Sequence, residues 1–164
     1  MKSVMYIKWM FLMFFSLAFT SVQADEINPI SISMTVKEEV KELNNQGKES
    51  IQYIEPTHIV PGDTVMYTTE YSNHHQKTIN HVVITNPIPK HLIYIQGSAE
   101  QRGVPLTFSI NHGETFAAAD KLVVTDQKGR VRPATVADYT HLRWKVASVL
   151  PKEKGTLFFR AKVK

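Results

Sequence analysis

His74 and His75 stand side by side in the polar stretch Ser72-Asn73-His74-His75-Gln76-Lys77, and His81 follows six residues later. Imidazoles converging from rigid backbone, usually with a carboxylate, hold divalent metals such as Zn²⁺ or Cu²⁺. Neighbours on a strand point to opposite faces, whereas neighbours in a loop can converge. His58 and His91 add to the count, but no H-x-H or H-E-x-x-H spacing occurs. An exposed polar loop accounts for the pair, and no metal or cofactor is expected. A metal or small-ligand site built on His74, His75 and His81 is the alternative.

Other chemistry has less to stand on. The chain has no cysteine, which removes thiol nucleophiles, Cys-ligated zinc, iron–sulfur centres and disulfides. No G-x-S-x-G elbow is present, and no helix follows a strand to present a serine nucleophile. Asp126-Gln127-Lys128-Gly129 offers a single carboxylate where Ca²⁺ takes several oxygens, so a hairpin turn explains it. Ser109-Ile110-Asn111-His112-Gly113-Glu114-Thr115-Phe116 resembles the Asp-box hairpin of sialidase-type propellers, with Asn111 and Phe116 in place of Asp and Trp. That motif is a structural turn and implies no glycosidase activity. The expectation is a non-enzyme.

The elements that carry these residues begin with a segment that reads as an export signal. Residues 1–24 combine Lys2 and Lys8, the apolar run 9–19, and Val22-Gln23-Ala24 with a small final residue. Eleven apolar residues are short for a membrane span, which needs about 20. The exported chain is therefore expected to begin at Asp25, without an integral span, and to reside in the periplasm, with secretion or the cell surface as the alternatives. Cleavage removes four of the six methionines, two lysines and no acid, which halves the formal net charge of +4. So slight a basicity, with no Lys/Arg stripe, does not suit nucleic-acid binding.

The remainder alternates with the period of strands. Ile30, Ile32, Met34 and Val36 alternate with polar residues, Asn44-Asn45-Gln46-Gly47 is a turn signal, and Ile51-Gln52-Tyr53 resumes the alternation. Together they predict a long first hairpin within residues 25–59. Val65, Tyr67, Thr69 and Tyr71 share a face after the turn Pro61-Gly62-Asp63. Val82-Val83-Ile84-Thr85 is β-branched throughout, which predicts a strand covered on both faces. Pro87 and Pro89 end it, since proline cannot donate to a ladder. Alternation at Leu106–Ile110, Leu142–Val146 and Leu157–Val163 brings the expectation to eight to ten short antiparallel strands without a long helix.

Three ordered stretches resemble a known family. They are 60–73 with Pro61-Gly62-Asp63, then 82–98 with Asn86-Pro87-Ile88-Pro89 and Gly97-Ser98, and 142–160 with Trp144, Leu150-Pro151 and Gly155. The pattern resembles the conserved-repeat domain of secreted bacterial proteins, catalogued as domain of unknown function eleven. Asn86 stands where the family commonly has Asp, and Lys152 where it often has Gly. The resemblance implies an immunoglobulin-like β-sandwich over residues 60–164, with the hairpin packed on it as an N-terminal extension. It implies exposure outside the cytoplasm, often on envelope or surface proteins, and no activity. Pro61, Gly62, Asp63, Tyr67, Tyr71, Pro87, Pro89 and Trp144 are read as fold residues. The function expected is a non-catalytic envelope or surface module with a structural or protein-interaction role, its partner an unidentified envelope or surface protein.

Overall fold

The computed structural model describes residues 29–43 and 47–164. The export signal expected at 1–24 and most of the turn expected at 44–47 lie outside the described residues. Ten strands follow one another: β1 (Ile30–Leu43), β2 (Glu49–Ile54), β3 (Thr64–Asn73), β4 (Ile79–Pro87), β5 (Leu92–Tyr94), β6 (Leu106–Ser109), β7 (Val123–Thr125), β8 (Val131–Pro133), β9 (His141–Val149) and β10 (Lys154–Val163). The described chain is all-β, with a single 3₁₀ turn at Ala119–Lys121. No helix among the described residues is long and apolar enough to cross a membrane.

The strands form an antiparallel sandwich. One sheet has the order β2-β1-β3-β10-β5 and the other β4-β9-β6, with β7-β8 a separate two-stranded arm. Directly opposed residues share a face, so the register assigns the inner side of the large sheet. Ile32 opposes Tyr71, Met34 opposes Thr69 and Val36 opposes Tyr67; Leu157, Phe159 and Ala161 of β10 continue the same face. The facing sheet contributes Val82, Ile84, Leu142, Trp144 and Val146. Ile30 to Val36 thus alternate as their sequence predicts, and the first hairpin joins the large sheet through its hydrogen-bond ladder with β3.

Packing explains several of the residue choices. Trp144 is fully buried, and its indole N–H donates to the Ala99 carbonyl at 2.9 Å. The Ala99 N–H donates in turn to the Tyr94 hydroxyl at 3.2 Å, whose pKa burial pushes up to about 12. Tyr67 stacks on its cross-strand partner Phe159, ring centroids 5.0 Å apart and planes within 6°, an arrangement worth about 0.5–1.5 kcal/mol beyond area burial. Gly62 has φ +102°, which the turn requires. Its N–H donates to the Val163 carbonyl, and Val163 N–H donates back to Asp63, stapling the turn to the end of β10. The Asp63 carboxylate accepts from Val60 N–H at 2.7 Å.

Two expectations need correction. The strand 82–85 is covered on one face only: Val82 and Ile84 are buried, while Val83 is half exposed and Thr85 is exposed. On the outer face Thr85 meets the Arg143 side chain, whose Nε donates to its hydroxyl at 2.9 Å, and β-branching served the pleat rather than double burial. The polar stretch 72–77 is not a loop from its first residue. Ser72 and Asn73 are the buried end of β3. Asn73 Nδ2 donates to the carbonyls of Lys77, Val149 and Leu150 at 2.9–3.1 Å, and its Oδ1 accepts from His75 N–H. A buried amide with all its partners carries little desolvation penalty.

Gly155 sits opposite Tyr71, whose ring occupies the space a side chain would need. A Cβ there would lie 2.2 Å from the Tyr71 ring and hydroxyl. Gly155→Ala is expected to lower stability by about 1–3 kcal/mol, and to cost much less when made in a Tyr71→Ser background, read as a double-mutant cycle by urea unfolding.

Candidate interaction edge

A sheet of five strands faces a sheet of three, so β1 and β2, at one side of the wider sheet, run past their cover. On β1 the inner-face residues Ile32 and Met34 are 53% and 44% exposed. Beyond β1 lies β2, paired from Ile54 opposite Glu38 to Glu49 opposite Leu43. No described strand pairs with its other side. Ile51 is 50% exposed, and Tyr53 and Ile54 are similarly open.

Free edges invite pairing with another chain unless something blunts them, and here the edges differ. β5 and β6 are short, at three and four residues. β4 carries Pro87 at its end and His81 within it. The His81 backbone is left-handed, φ 57°, and pairing with β9 skips that residue before resuming at Val82. β2 has no proline, no kink and no charge between Ser50 and Ile54. It is the unblunted edge among the described strands.

The edge is held from its outer face. Glu39 of β1 reaches across β3 to Arg160 of β10, whose Nε and Nη2 each donate to one carboxylate oxygen. The Glu39 side chain is 3% exposed and that of Arg160 is 32% exposed. The Tyr53 hydroxyl donates to Glu39 Oε2 at 3.5 Å, so one carboxylate links β2, β1 and β10. On the opposite face Gln52 Nε2 donates to Glu42 Oε2 at 2.6 Å, and Ser50 Oγ donates to the Glu42 carbonyl. Lys41 pairs with Glu49 at 3.5 Å. Glu49, Ser50, Gln52 and Tyr53 thus bond to β1, and no described strand pairs with the far side of β2.

The histidines singled out by spacing have other occupations. His74 Nε2 lies 2.8 Å from Ser31 Oγ, and its N–H donates to the Pro29 carbonyl. His75 Nδ1 accepts from Lys77 N–H at 3.2 Å, closing the loop on itself. His81 is on β4, in the other sheet. Among the described residues no three His, Asp or Glu side chains form a group able to hold a metal. Spacing did not single out His112 and His141, which share a hollow of about 390 Å³ with Pro87, Pro89 and Lys164. Burial chiefly, with His112 and Arg143, lowers the His141 pKa.

Two further motifs are turns. Ser109 Oγ accepts from Asn111 N–H and Gly113 N–H, and Asn111 Oδ1 accepts from Thr115 N–H, so Asn111 organises the hairpin. Phe116 carries the Arg143 guanidinium 3.5 Å above its ring. Asp126 accepts from Lys128 N–H, Arg130 N–H and Arg130 Nε within its own hairpin. The bonds from Arg130 lower its pKa.

Truncating Arg160 leaves the Glu39 carboxylate buried without its partner. Breaking a fully buried pair costs about 3–5 kcal/mol; with Arg160 a third exposed, Arg160→Ala is expected to cost about 2 kcal/mol. Urea unfolding measures it, and unchanged stability would mean that water replaces the guanidinium. Comparison with known proteins finds no match for this chain among family models, curated proteins or solved structures.

Proposed function

We propose that this chain is a non-catalytic module of the cell envelope or surface that binds another protein along the edge of β2. The observation that carries the reading is that edge itself: six residues long, without proline, kink or central charge, and exposing Ile51, Tyr53 and Ile54. Strand addition supplies affinity through main-chain hydrogen bonds and selectivity through alternate side chains. Export rests on the residue pattern of 1–24. The resemblance of 60–164 to the conserved-repeat family supports an immunoglobulin-like module outside the cytoplasm, with the periplasm as its compartment. His74 and His75, weighed as metal ligands, are engaged with Ser31 and with the Lys77 N–H, which suits a module that binds rather than reacts.

A photo-reactive residue at position 51, in protein expressed with its export segment, tests the reading in intact envelopes. The expected result is a discrete cross-linked adduct from position 51 and none from position 83, the half-exposed valine of the β4 edge. Adducts of equal yield from both positions, or none from 51, would count against it.

A further inference from the structure

We infer that the hollow between β5, the 3₁₀ turn at Ala119–Lys121 and the end of β8 binds a small organic ammonium ion, its apolar stem on an aromatic floor and its charge at Glu100. The hollow measures about 530 Å³, within the ~300–1,000 Å³ of small-molecule sites. Tyr94 of β5, Phe108 of β6 and Tyr139 make its floor, and Pro133 and Val136 make a wall. The rings pack on one another: Phe108 stacks on Tyr139 with centroids 4.4 Å apart, and Tyr94 lies 5.2 Å from Phe108. Tyr94 and Phe108 are buried and Tyr139 is half-buried. Such a floor is formed before a ligand arrives, which lowers the cost of binding.

The charge around that floor has one sign. Glu100 and Asp120 line the hollow, and among the described residues no lysine, arginine or histidine does. Asp120 pairs with its neighbour Lys121 at 3.3 Å, both largely exposed, and such pairs hold weakly. Asp138, beside Tyr139 in the chain, is already taken by two Arg132 nitrogens and by Thr135. Glu100 differs. The Tyr94 hydroxyl donates to its Oε2 at 3.3 Å, and among the described residues no cation pairs with it. The same hydroxyl accepts from Ala99 N–H, so a buried phenol ties this carboxylate to the floor. Burial raises the Tyr94 and Tyr139 pKa values, and the charges of Glu100 and Asp138 add to it, as a negative field must. An ammonium ion supplies the counter-charge that Glu100 lacks. Apolar walls suit one carried on a short hydrocarbon stem, whereas a hard metal ion wants more oxygens than two carboxylates offer.

The hollow is at the other side of the large sheet from β2, so its test is independent of the edge. The full exported chain is titrated with n-butylammonium, n-butanol and butyrate at one ionic strength, followed by the amide NMR shifts of Glu100, Val136 and Tyr139. Butylammonium is expected to shift all three saturably and to bind at least tenfold more tightly than the neutral and anionic analogues. Glu100→Gln, at an exposed position, is expected to weaken butylammonium at least fivefold and to leave butanol unchanged. Glu114→Gln, an exposed carboxylate outside the hollow, is expected to change neither. No saturable shift, equal binding of the three analogues, or butylammonium binding unaffected by Glu100→Gln would overturn the site. Tighter binding of Nα-acetyl-lysine methylamide than of butylammonium would overturn the small-molecule assignment in favour of a protein side chain.

Discussion

The constraint on which the rest of the structure depends is the mismatch in width between its two sheets. Three strands can cover only part of five, so β1 meets the shared core through Ile30 and Val36 while β2 contributes nothing to it. They are secured instead by the ladder from Ile30 opposite Asn73 to Glu39 opposite Thr64, and by Glu39 bonded to Arg160 across the outer face. Without disulfides, an antiparallel sandwich must keep its uncovered strands by hydrogen bonding and local ion pairing. The half-exposed Ile32 and Met34 on β1 are the visible consequence of cover that stops short.

The opposite end of the sandwich solves a different problem. There β3, the start of β4 and the β9–β10 hairpin converge on Asn73, a fully buried residue. Its amide nitrogen serves three carbonyls, and its backbone exchanges hydrogen bonds with Glu153 and Lys152. Lys152 has φ 63° in that hairpin, a conformation most often left to glycine. Asn73 thus ties the two sheets where no disulfide does.

Much of the fold could be read from alternation because one face of nearly every strand is buried. Leu142, Trp144 and Val146 are buried at every second position, as are Leu157, Phe159 and Ala161. Where the rule misled, the reason is physical. The run Val82-Val83-Ile84-Thr85 satisfies the pleat at all four positions, and composition cannot say whether a second layer lies outside it. Asn73 looks like a loop residue because its type favours turns, and only the distant carbonyls of Val149 and Leu150, beside the local groups of His75 and Lys77, make it a core residue. The candidate site was less legible. Histidine spacing marked a loop that closes on itself, whereas the Ile51-Gln52-Tyr53 alternation marked a strand and said nothing of its being the last one. Whether a strand is an edge depends on the topology of the whole sheet, so no local pattern in β2 could reveal it. The Glu39–Arg160 pair was equally hidden, its partners lying 121 residues apart.

Amide hydrogen exchange across Glu49–Ile54, with and without envelope extract, tests most directly whether this edge accepts a strand. The account predicts that exchange in β2 slows in the extract while exchange in β5, the short edge at the other side of the same sheet, does not change. Exchange in β2 that stays equally fast in the extract, or slows no more than in β5, would contradict it.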